Sequence, residues 1–298
     1  MSESLTVLVT GATGLVGRPL CKALTKRGHS VRTLSRGNNA DFIWDVECGK
    51  MDAAALNGVD VVVHLAGESV AQKWTDIAKQ RILRSRVDST ELLVTELLKL
   101  EKIPAFISAS GISYYGVERD SPVDESADSG GGFLAEVTRQ WEAAAQPLLA
   151  SGGRVAFLRT GIVLDRAGGA LAKMLTPFKF CVGGRIGSGK QHMSWLSLPD
   201  LVAMYVFAVE NGEVAGPINA VAPEAVSNIA FTKTLGFVIG RPTIFPMPAA
   251  VVTTLFGEMG KETVLSDLAV VPQRLKELGF QWQQPELEDA LRKTIYDL

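Results

Sequence analysis

An α/β fold built on a doubly wound parallel sheet is the fold class that this 298-residue sequence predicts. Strand-like and helix-like segments alternate from the first residues, which is typical of consecutive βαβ units. The strand-like runs are apolar almost throughout, as expected of parallel strands that helices cover on both faces. Glycine is enriched as well, with 29 residues, against the roughly 21 that average usage gives. The excess indicates places where the backbone closely approaches a ligand or another segment.

The elements follow one another in a regular order. Residues 5–10 are β-branched and apolar, and they end at a glycine-rich turn that a helix follows. Residues 59–65 form a continuous apolar run, and an acidic loop ending in three glycines precedes the helix that begins at Phe133. The predicted strands are 5–10, 30–35, 42–44, 59–65, 105–109, 155–159 and 217–221, and the main predicted helices are 15–26, 74–100, 133–149 and 199–210.

The domain organisation is predicted from where this rhythm changes. The alternation loosens after Gly161, and prolines at 242, 246, 248 and 272 separate short helices near the end. We therefore expect residues 1–163 to form the main domain, with elements at about 195–222 returning to its sheet. Residues 164–194 and 223–298 would form a smaller C-terminal substrate lobe over the cleft.

Charge and composition exclude several classes of partner. The 30 basic and 32 acidic residues nearly cancel, so no overall positive field favours nucleic acid. No apolar run is long enough to span a membrane, and the start of the chain does not resemble a signal peptide. The three cysteines and three histidines are not at metal-ligand spacing. We expect a cytoplasmic protein with a small-molecule substrate and no metal, nucleic-acid or membrane partner, and the oligomeric state stays open.

A nucleotide-binding signature follows the first predicted strand. The segment GATGLVG has GxxGxxG spacing and directly precedes a helix. Glycines at these places allow a tight turn, the approach of a phosphate and close packing of the helix on the sheet. The free N–H groups at the helix start favour a pyrophosphate. We therefore predict a dinucleotide site, the alternative being a tight turn without a ligand. Its predicted contacts here are Gly11, Thr13, Gly14, Leu15, Val16 and Gly17.

The end of the second predicted strand indicates which dinucleotide binds. A site for NAD has an acidic residue about 20 residues beyond the glycines, whereas this chain has Arg36 there, preceded by Ser35. A guanidinium group pairs with the 2′-phosphate of NADP(H), which a carboxylate would repel. The sequence therefore predicts NADP(H) as the cofactor, with Ser35 and Arg36 at its 2′-phosphate. The alternative is that Arg36 only points into solvent.

Several motifs along the whole chain resemble one family. The glycine-rich opening, HLAGE from His64 and SAS…YYG from Ser108 resemble the extended short-chain dehydrogenase/reductase superfamily. The segments LAGESVAQKWT, SRVDST, WEAAA, LRTGIVL, GGRIGSGKQ and INAVAPEAVSN resemble its atypical branch of epimerase family proteins. The end of the chain resembles that branch's C-terminal domain of unknown function. The resemblance implies a Rossmann-type domain that binds NADP(H), together with a smaller substrate lobe.

The resemblance also implies where the chemistry takes place, and it exposes a departure. Members of the superfamily use a tyrosine as acid and base, with a lysine four residues later on the same helix. None of the 4 tyrosines has a lysine at that spacing, and Leu134 and Thr138 stand at the two positions. Ser110 matches the serine that binds a substrate carbonyl, and Tyr114 and Tyr115 follow the same strand. These three are the candidate catalytic residues, and packing over the cofactor is the alternative for the tyrosines.

Further cofactor contacts are implied by the same resemblance. The segments after strands 59–65 and 155–159 pass beside the cofactor in related proteins. Arg86 stands where an asparagine usually ends a proton relay, and an arginine there is able to bind an anion but not to act as a base near neutral pH. The implied contacts are Leu65, Ala66, Gly67, Glu68, Arg86, Gly161 and Ile162.

A substrate segment is implied as well. GGRIGSGKQ resembles the strand that grips the diphosphate of nucleotide sugars in extended members, so Arg185, Lys190 and Gln191 are predicted substrate contacts. The alternative is a glycine-rich lid whose two cations are solvated.

Two functions of different classes fit these observations. One is an NADP(H)-dependent oxidoreductase or epimerase with a non-standard active site, acting on a small polar substrate, with nucleotide sugars as one candidate class. The other is a non-catalytic NADP(H)-binding sensor or scaffold. The missing tyrosine–lysine pair favours the second function. The glycine turn, Ser110 and the substrate segment favour the first, and on balance the sequence favours an enzyme.

Overall fold

The structure, a computed structural model that describes residues 4–37 and 39–296, is organised around an eight-stranded sheet. The strands are β1 (Thr6–Thr10), β2 (Ser30–Ser35), β3 (Phe42–Asp45), β4 (Lys50–Met51), β5 (Val61–His64), β6 (Ala105–Gly111), β7 (Val155–Thr160), β8 (Ile162–Leu164), β9 (His192–Met193), β10 (Trp195–Ser197), β11 (Gly216–Ala220) and β12 (Val226–Ser227). The helices are α1 (Gly17–Lys26), α2 (Asp76–Leu97), α3 (Phe133–Ala143), α4 (Gln146–Ala150), α5 (Gly169–Lys179), α6 (Leu198–Glu210), α7 (Asn228–Ile239), α8 (Ala249–Met259), α9 (Gln273–Glu277) and α10 (Leu287–Tyr296).

In the large sheet the strand order is β11-β7-β6-β5-β1-β2-β3-β4, and all neighbours are parallel except β3 and β4. The chain runs outward from β1 through β2 and β3, then crosses to β5 on the other side of β1. This creates a topological switch point between β1 and β5, the place where open α/β sheets bind ligands. The predicted fold class is confirmed, and the strand predicted at 217–221 returns to the sheet as β11.

Alternating side chains of the central strands fill two cores. Val7 and Val9 of β1 pack with Leu20 and Leu24 of α1 on one face of the sheet. Leu8 belongs to the core on the other face, which α2 covers. All five side chains are fully buried, and each contributes about 2 kcal/mol to stability relative to exposure. Successive strand residues point to opposite faces, so the continuous apolar runs are what this two-sided sheet requires.

The helix boundaries differ from the prediction at identifiable residues. The sequence predicts one helix over 133–149, whereas α3 ends at Ala143 and a second helix, α4, follows. Pro147 accounts for the break, because it has no N–H for the carbonyl of Ala143 and its ring would meet that carbonyl. The helices α1 and α2 each begin two residues later than predicted. The glycine turn delays α1, and Thr75, whose side chain accepts from the backbone N–H of Ala78, caps α2.

The C-terminal third of the chain has a core of its own. The strands β8 and β10 pair outside the large sheet, as do β9 and β12, and α5, α7 and α10 pack around Trp195. Backbone bridges join Glu118 to Asp267 and Val123 to Val270, so the end of the chain lies against the loop that follows β6. The proposed division into a main domain and a smaller lobe stays a prediction. Within the described residues, no helix is long and apolar enough to cross a membrane.

Candidate functional site

The turn between β1 and α1 is tightly packed inside and open outside. Gly11 has a φ of +67°, and a Cβ on Gly17 would lie 2.2 Å from the carbonyl oxygen of Gly11. Residues 13–15 are exposed. Val16, which precedes the first turn of α1, makes no side-chain capping hydrogen bond, and that turn contains no acidic residue. The helix N-terminus therefore keeps its positive partial charge and N–H groups available for an anion.

Thr10 joins the ends of β1 and β5 beside this turn. Its Oγ1 accepts from the backbone N–H groups of Leu65 and Ala66, at 3.1 and 3.2 Å, and lies 2.8 Å from Nδ1 of His64. Because the hydroxyl already accepts twice, we assign its proton to Nδ1 and the ring proton of His64 to Nε2, 3.2 Å from Ser89 Oγ. Burial lowers the pKa of His64 to about 3, so the ring is neutral at physiological pH.

Two exposed arginines lie near the turn between β1 and α1. Arg36, at the carboxyl end of β2, is exposed and forms no ion pair or hydrogen bond with the residues that the structure describes. Ser35 Oγ bonds locally to the backbone of Gly37. Arg18, in the first turn of α1, is also exposed and equally without a described partner. A cation at the start of a helix interacts unfavourably with the helix dipole. A bound anion would offset this repulsion by pairing with the Arg18 guanidinium group. Arg18 was not among the contacts predicted from the sequence, although its place directly after the third glycine was a signal.

The loop after β5 is held against α2. The backbone N–H of Glu68 donates to Ser85 Oγ at 2.9 Å, and the Glu68 carboxylate accepts from Gln72 at 3.2 Å. Arg86, one residue beyond Ser85, is half-buried, and a Cβ on Gly67 would lie 3.1 Å from its guanidinium carbon. The predicted contacts Gly67, Glu68 and Arg86 are therefore neighbours at the switch point.

Ser110, the predicted carbonyl-binding serine, is buried and has partners within the protein. Its Oγ donates to Oε1 of Glu142 at 2.7 Å, and the same carboxylate accepts from Nε and Nη2 of Arg159 at 2.9 and 2.8 Å. Burial by itself lowers the pKa of Arg159, but the hydrogen bonds and charge of Glu142 outweigh it and raise that pKa. Removing either charge would leave the other buried and unpaired. Ser110 thus belongs to a buried network, and its hydroxyl is not free for a substrate carbonyl.

The adjacent residues Tyr114 and Tyr115 have opposite environments. Tyr115 is fully buried, and its hydroxyl donates to Asn219 Oδ1 at 2.7 Å and accepts from Arg159 Nη1 at 3.0 Å. Burial raises the pKa of Tyr115, and Arg159 opposes the rise. Tyr114 is half-buried, its ring centroid lies 3.4 Å from the guanidinium carbon of Arg159, and its hydroxyl has no hydrogen-bond partner in the described chain. The geometry argues against Tyr115 as an acid or base and leaves Tyr114 as a candidate.

A second serine lies beside the position of the missing acid–base pair. A Cβ on Gly111 would lie 3.1 Å from Ser113 Oγ and 3.6 Å from Cγ2 of Thr138. The Thr138 hydroxyl donates back to the carbonyl of Leu134 at 2.9 Å, whereas the Ser113 hydroxyl makes no hydrogen bond to any residue in 4–37 or 39–296. The sequence analysis missed Ser113, because the family motif points to Ser110.

The N-terminus of α3 is occupied by a carboxylate from near the end of the chain. Glu262 accepts from the backbone N–H groups of Phe133 and Leu134 at 2.8 and 2.9 Å. Gly132 has a φ of +115°, which favours glycine, and a Cβ there would lie 3.2 Å from this carboxylate. Next to it, a cleft of about 520 Å³ is lined by residues 115–120 and 129–131.

Packing accounts for the glycine that follows β7. The N–H groups of Gly161 and Ile162 donate to the carbonyls of Ala220 and Ser194 at 3.0 and 2.8 Å. A Cβ on Gly161 would lie 2.4 Å from the Ser194 carbonyl oxygen. These two predicted cofactor contacts therefore have their backbone N–H groups engaged within the protein.

The predicted substrate segment divides into packed and exposed residues. A Cβ on Gly184 would lie 1.9 Å from the carbonyl oxygen of Phe245, so chain packing explains this glycine without a ligand. Gln191 is buried, and its amide donates to a carbonyl of the same segment at 3.0 Å. Arg185 and Lys190 are exposed. Gln191 braces the segment, and the two cations remain candidates for contact with an anion.

The buried charges were also missed at the sequence level. Glu142 lies in the apolar helix segment WEAAA, and Arg159 ends the apolar strand VAFLR. Each of these two core-facing segments contains one charged residue, and the two charges have opposite signs. Because a buried charge requires a partner, this was the available signal that the two residues pair. Glu262 had no comparable signal, because its partners are backbone groups far away in sequence.

Comparison with known proteins adds a family context to this geometry. Residues 7–133 match the NAD dependent epimerase/dehydratase family, and residues 247–294 match a domain of unknown function, DUF1731. The epimerase family protein Mb2239 of Mycobacterium bovis is 38% identical over 289 residues, which cover 96% of each chain.

Solved structures show the same similarity. A crystal structure of human epimerase family protein SDR39U1 (isoform 2) with NADPH has a TM-score of 0.91 and 34% identity, covering 99% of this chain and 100% of that one. A nucleoside-diphosphate sugar epimerase from Corynebacterium glutamicum has a TM-score of 0.81 and 35% identity, covering 97% of this chain and 57% of that one.

Proposed function

Because the chain belongs to the epimerase family of these relatives, we propose that it is an NADP(H)-dependent oxidoreductase or epimerase acting on a small polar substrate. The observation that carries the proposal is the open N-terminus of α1, which follows a glycine turn at the switch point and has neither a side-chain cap nor an acidic residue in its first turn. The relative that was crystallised with NADPH supports the same cofactor.

The residues present fit this cofactor. The tight contacts of Gly11 and Gly17 form a cradle that any Cβ would fill, and the uncapped start of α1 suits a pyrophosphate. The guanidinium groups of Arg18 and Arg36 have no partner among residues 4–37 and 39–296, and they suit the 2′-phosphate that distinguishes NADP(H) from NAD(H). NADP(H), when bound, supplies the hydride chemistry, and the chain positions it and moves protons.

Tyr114 and Ser113 are our candidates for proton transfer and carbonyl binding. Their hydroxyls have no partner among the residues of the structure, in contrast to the engaged hydroxyls of Ser110 and Tyr115. We assign Ser110 a positioning role, because through Glu142 it ties the end of β6 to α3. This replaces the catalytic assignment that the family motif predicts for Ser110 and Tyr115.

Two features of the structure bear on the class of substrate. The cleft of about 520 Å³ beside α3 is lined largely by polar and glycine residues, which suits a small polar molecule. Arg185 and Lys190 are exposed cations that would contact a diphosphate if the substrate is a nucleotide sugar. A nucleoside-diphosphate sugar epimerase among the similar structures supports that candidate class.

A non-catalytic NADP(H)-binding sensor or scaffold is the second candidate. The specific observation in its favour is that α3 carries Leu134 and Thr138 in place of the acid–base pair, while the hydroxyl of Ser110 is engaged. Both candidates require the cofactor site, so they differ only in turnover.

Cofactor selectivity is the first test. We expect NADPH to bind about 100-fold more tightly than NADH, since the pairing of a guanidinium with a phosphate contributes roughly 3 kcal/mol. Arg36→Asp should reverse that order, as measured by fluorescence titration of the nicotinamide. Arg84→Asp, at an exposed arginine of α2, makes the same charge change and should leave the order intact. Equal affinity of the wild type for both cofactors would remove Arg36 as the selecting residue.

Hydride transfer is the second test. NADPH deuterated at the reactive carbon is incubated with the protein and a metabolite pool, and the pool is examined for label by mass spectrometry. An oxidoreductase transfers the label to its substrate with one stereochemistry. An epimerase that returns the same hydride within one cycle requires a complementary readout, in which a sugar deuterated at the reacting carbon is converted into an epimer that keeps the label. A protein that binds NADPH tightly and gives neither label is the sensor or scaffold.

A further inference from the structure

Arg86 is a half-buried cation with few partners. Its Nη1 donates to the carbonyl oxygen of Ile82 at 3.0 Å, and no carboxylate within residues 4–37 or 39–296 lies within ion-pair distance of it. Burial lowers its pKa to about 10, with Glu68 opposing the change, so the group is charged at neutral pH. A buried cation is costly unless acceptors surround it. The remaining N–H donors of this guanidinium group therefore suit an acceptor from outside the chain.

The position of the guanidinium group is fixed on two sides. Its central carbon lies 5.1 Å from the ring centroid of Trp141 on α3, a cation–π distance. On the other side it packs on Gly67, where a Cβ would lie 3.1 Å away. Ser85, the preceding residue, holds the same loop through the backbone N–H of Glu68. Arg86 is therefore locked between α3 and the loop that leaves β5.

The strand order places Arg86 and Arg36 on opposite sides of β1. The order β6-β5-β1-β2 puts the end of β2, with Arg36, on one side of the glycine turn. It puts the β5 loop, with Arg86, on the other side. A dinucleotide whose pyrophosphate lies at the start of α1 extends across this switch point. If its adenosine half is at Arg36, its nicotinamide half is on the side of Arg86.

We propose that Arg86 binds the nicotinamide half of NADP(H) and supplies, from α2, the cation that the chain lacks at Thr138 on α3. Thr138 and Trp141 are three residues apart and share a face of α3, and the guanidinium group rests on Trp141. The acceptors would be hydroxyl or phosphate oxygens of the nicotinamide mononucleotide half. This inference rests on the proposed cofactor, and it assigns one of the two halves to each arginine.

The test compares two ligands by isothermal titration calorimetry. NADPH contains both halves, whereas adenosine 2′,5′-bisphosphate has the adenosine half with its 2′-phosphate and lacks the nicotinamide half. Arg86→Gln should weaken NADPH binding about tenfold or more, the value of hydrogen bonds to a charged group. The affinity for adenosine 2′,5′-bisphosphate should change less than about threefold, because only weak long-range electrostatics is lost. Arg86→Lys should recover part of the loss, and Arg84→Gln is the matched control on the exposed face of α2.

The outcomes separate the inference from the proposed function. An equal loss for both ligands would overturn the inference, as would no loss for either, because Arg86 would then act through general charge or packing alone. Thermal unfolding of each apo variant identifies a folding defect, and Arg86→Lys keeps the test open if Arg86→Gln unfolds. Failure of the wild type to bind either ligand would instead contradict the proposed function.

Discussion

Two helices, α1 and α3, begin at the same edge of the sheet, and they differ in how their N-termini are capped. The start of α1 has no side-chain cap and no acidic residue. The start of α3 is capped by the carboxylate of Glu262, which accepts from the first two N–H groups. Each N-terminus carries a positive partial charge that favours an anion. At α3 the protein itself provides that anion, whereas the first turn of α1 has neither a side-chain cap nor an acidic residue.

The filled N-terminus also joins distant parts of the chain. Glu262 lies in the helical turn Gly260–Val264, which directly follows α8, and Glu258 at the end of α8 pairs with Lys79 on α2 at 2.5 Å. These contacts hold residues 258–262 over the starts of α2 and α3. The filled end joins distant segments of the chain, and the open end is where we propose that the cofactor's pyrophosphate binds.

The largest effect on stability and NADPH binding is expected from adding one methyl group to the glycine turn before α1. Gly17→Ala places a Cβ 2.2 Å from the carbonyl oxygen of Gly11, so the turn must shift. We expect the free energy of unfolding to fall by about 3 kcal/mol and saturable NADPH binding to disappear in a fluorescence titration. Gly131→Ala, in the loop before α3, has no atom within 4 Å of the added Cβ and should change neither quantity measurably. Normal NADPH binding by Gly17→Ala would contradict the proposal that this glycine turn holds the cofactor.

The two ends also differ in how far the sequence predicts them. The open end is a local feature, since its turn, its helix and Arg36 lie within one βαβ unit, and the GxxGxxG spacing identifies it. The sheet was predictable for the same reason, because each buried strand has its own apolar run. The predictions that failed were set by single residues, such as Pro147 within the helix expected at 133–149.

The filled end is a long-range feature. Glu262 meets Phe133 and Leu134 only after the chain has folded, and nothing in the surrounding sequence distinguishes it from a solvated glutamate. Ser110 shows a related problem, because a family motif identifies its place on β6 but not the direction of its hydroxyl. That direction depends on Glu142, which comes from another element.

The next prediction compares the two neighbouring tyrosines, Tyr114 and Tyr115, which follow β6. Tyr115→Phe removes a hydroxyl that accepts from Arg159 and donates to Asn219, and leaves two buried atoms, Arg159 Nη1 and Asn219 Oδ1, without this partner. We expect the free energy of unfolding in urea to fall by about 2 kcal/mol. Tyr114→Phe removes a hydroxyl without a described partner and should cost less than about 0.5 kcal/mol, while lowering any turnover found by the label experiment. Equal losses of stability would show that both hydroxyls are structural.

The smallest effect concerns the cap on α3. Glu262→Gln keeps one carbonyl oxygen for the backbone N–H groups but removes the negative charge that interacts favourably with the positive end of the α3 dipole, so the free energy of unfolding should fall by about 1 kcal/mol. Glu258→Gln is the matched control, because it loses the more exposed pair with Lys79 and should cost about 0.3 kcal/mol. Raising the salt concentration separates the two variants further, since exposed pairs are screened more strongly. A larger loss in Glu258→Gln would mean that the segment is held mainly through α2. A larger loss in Glu262→Gln, with NADPH affinity unchanged, would show that the filled N-terminus stabilises the fold independently of the open one.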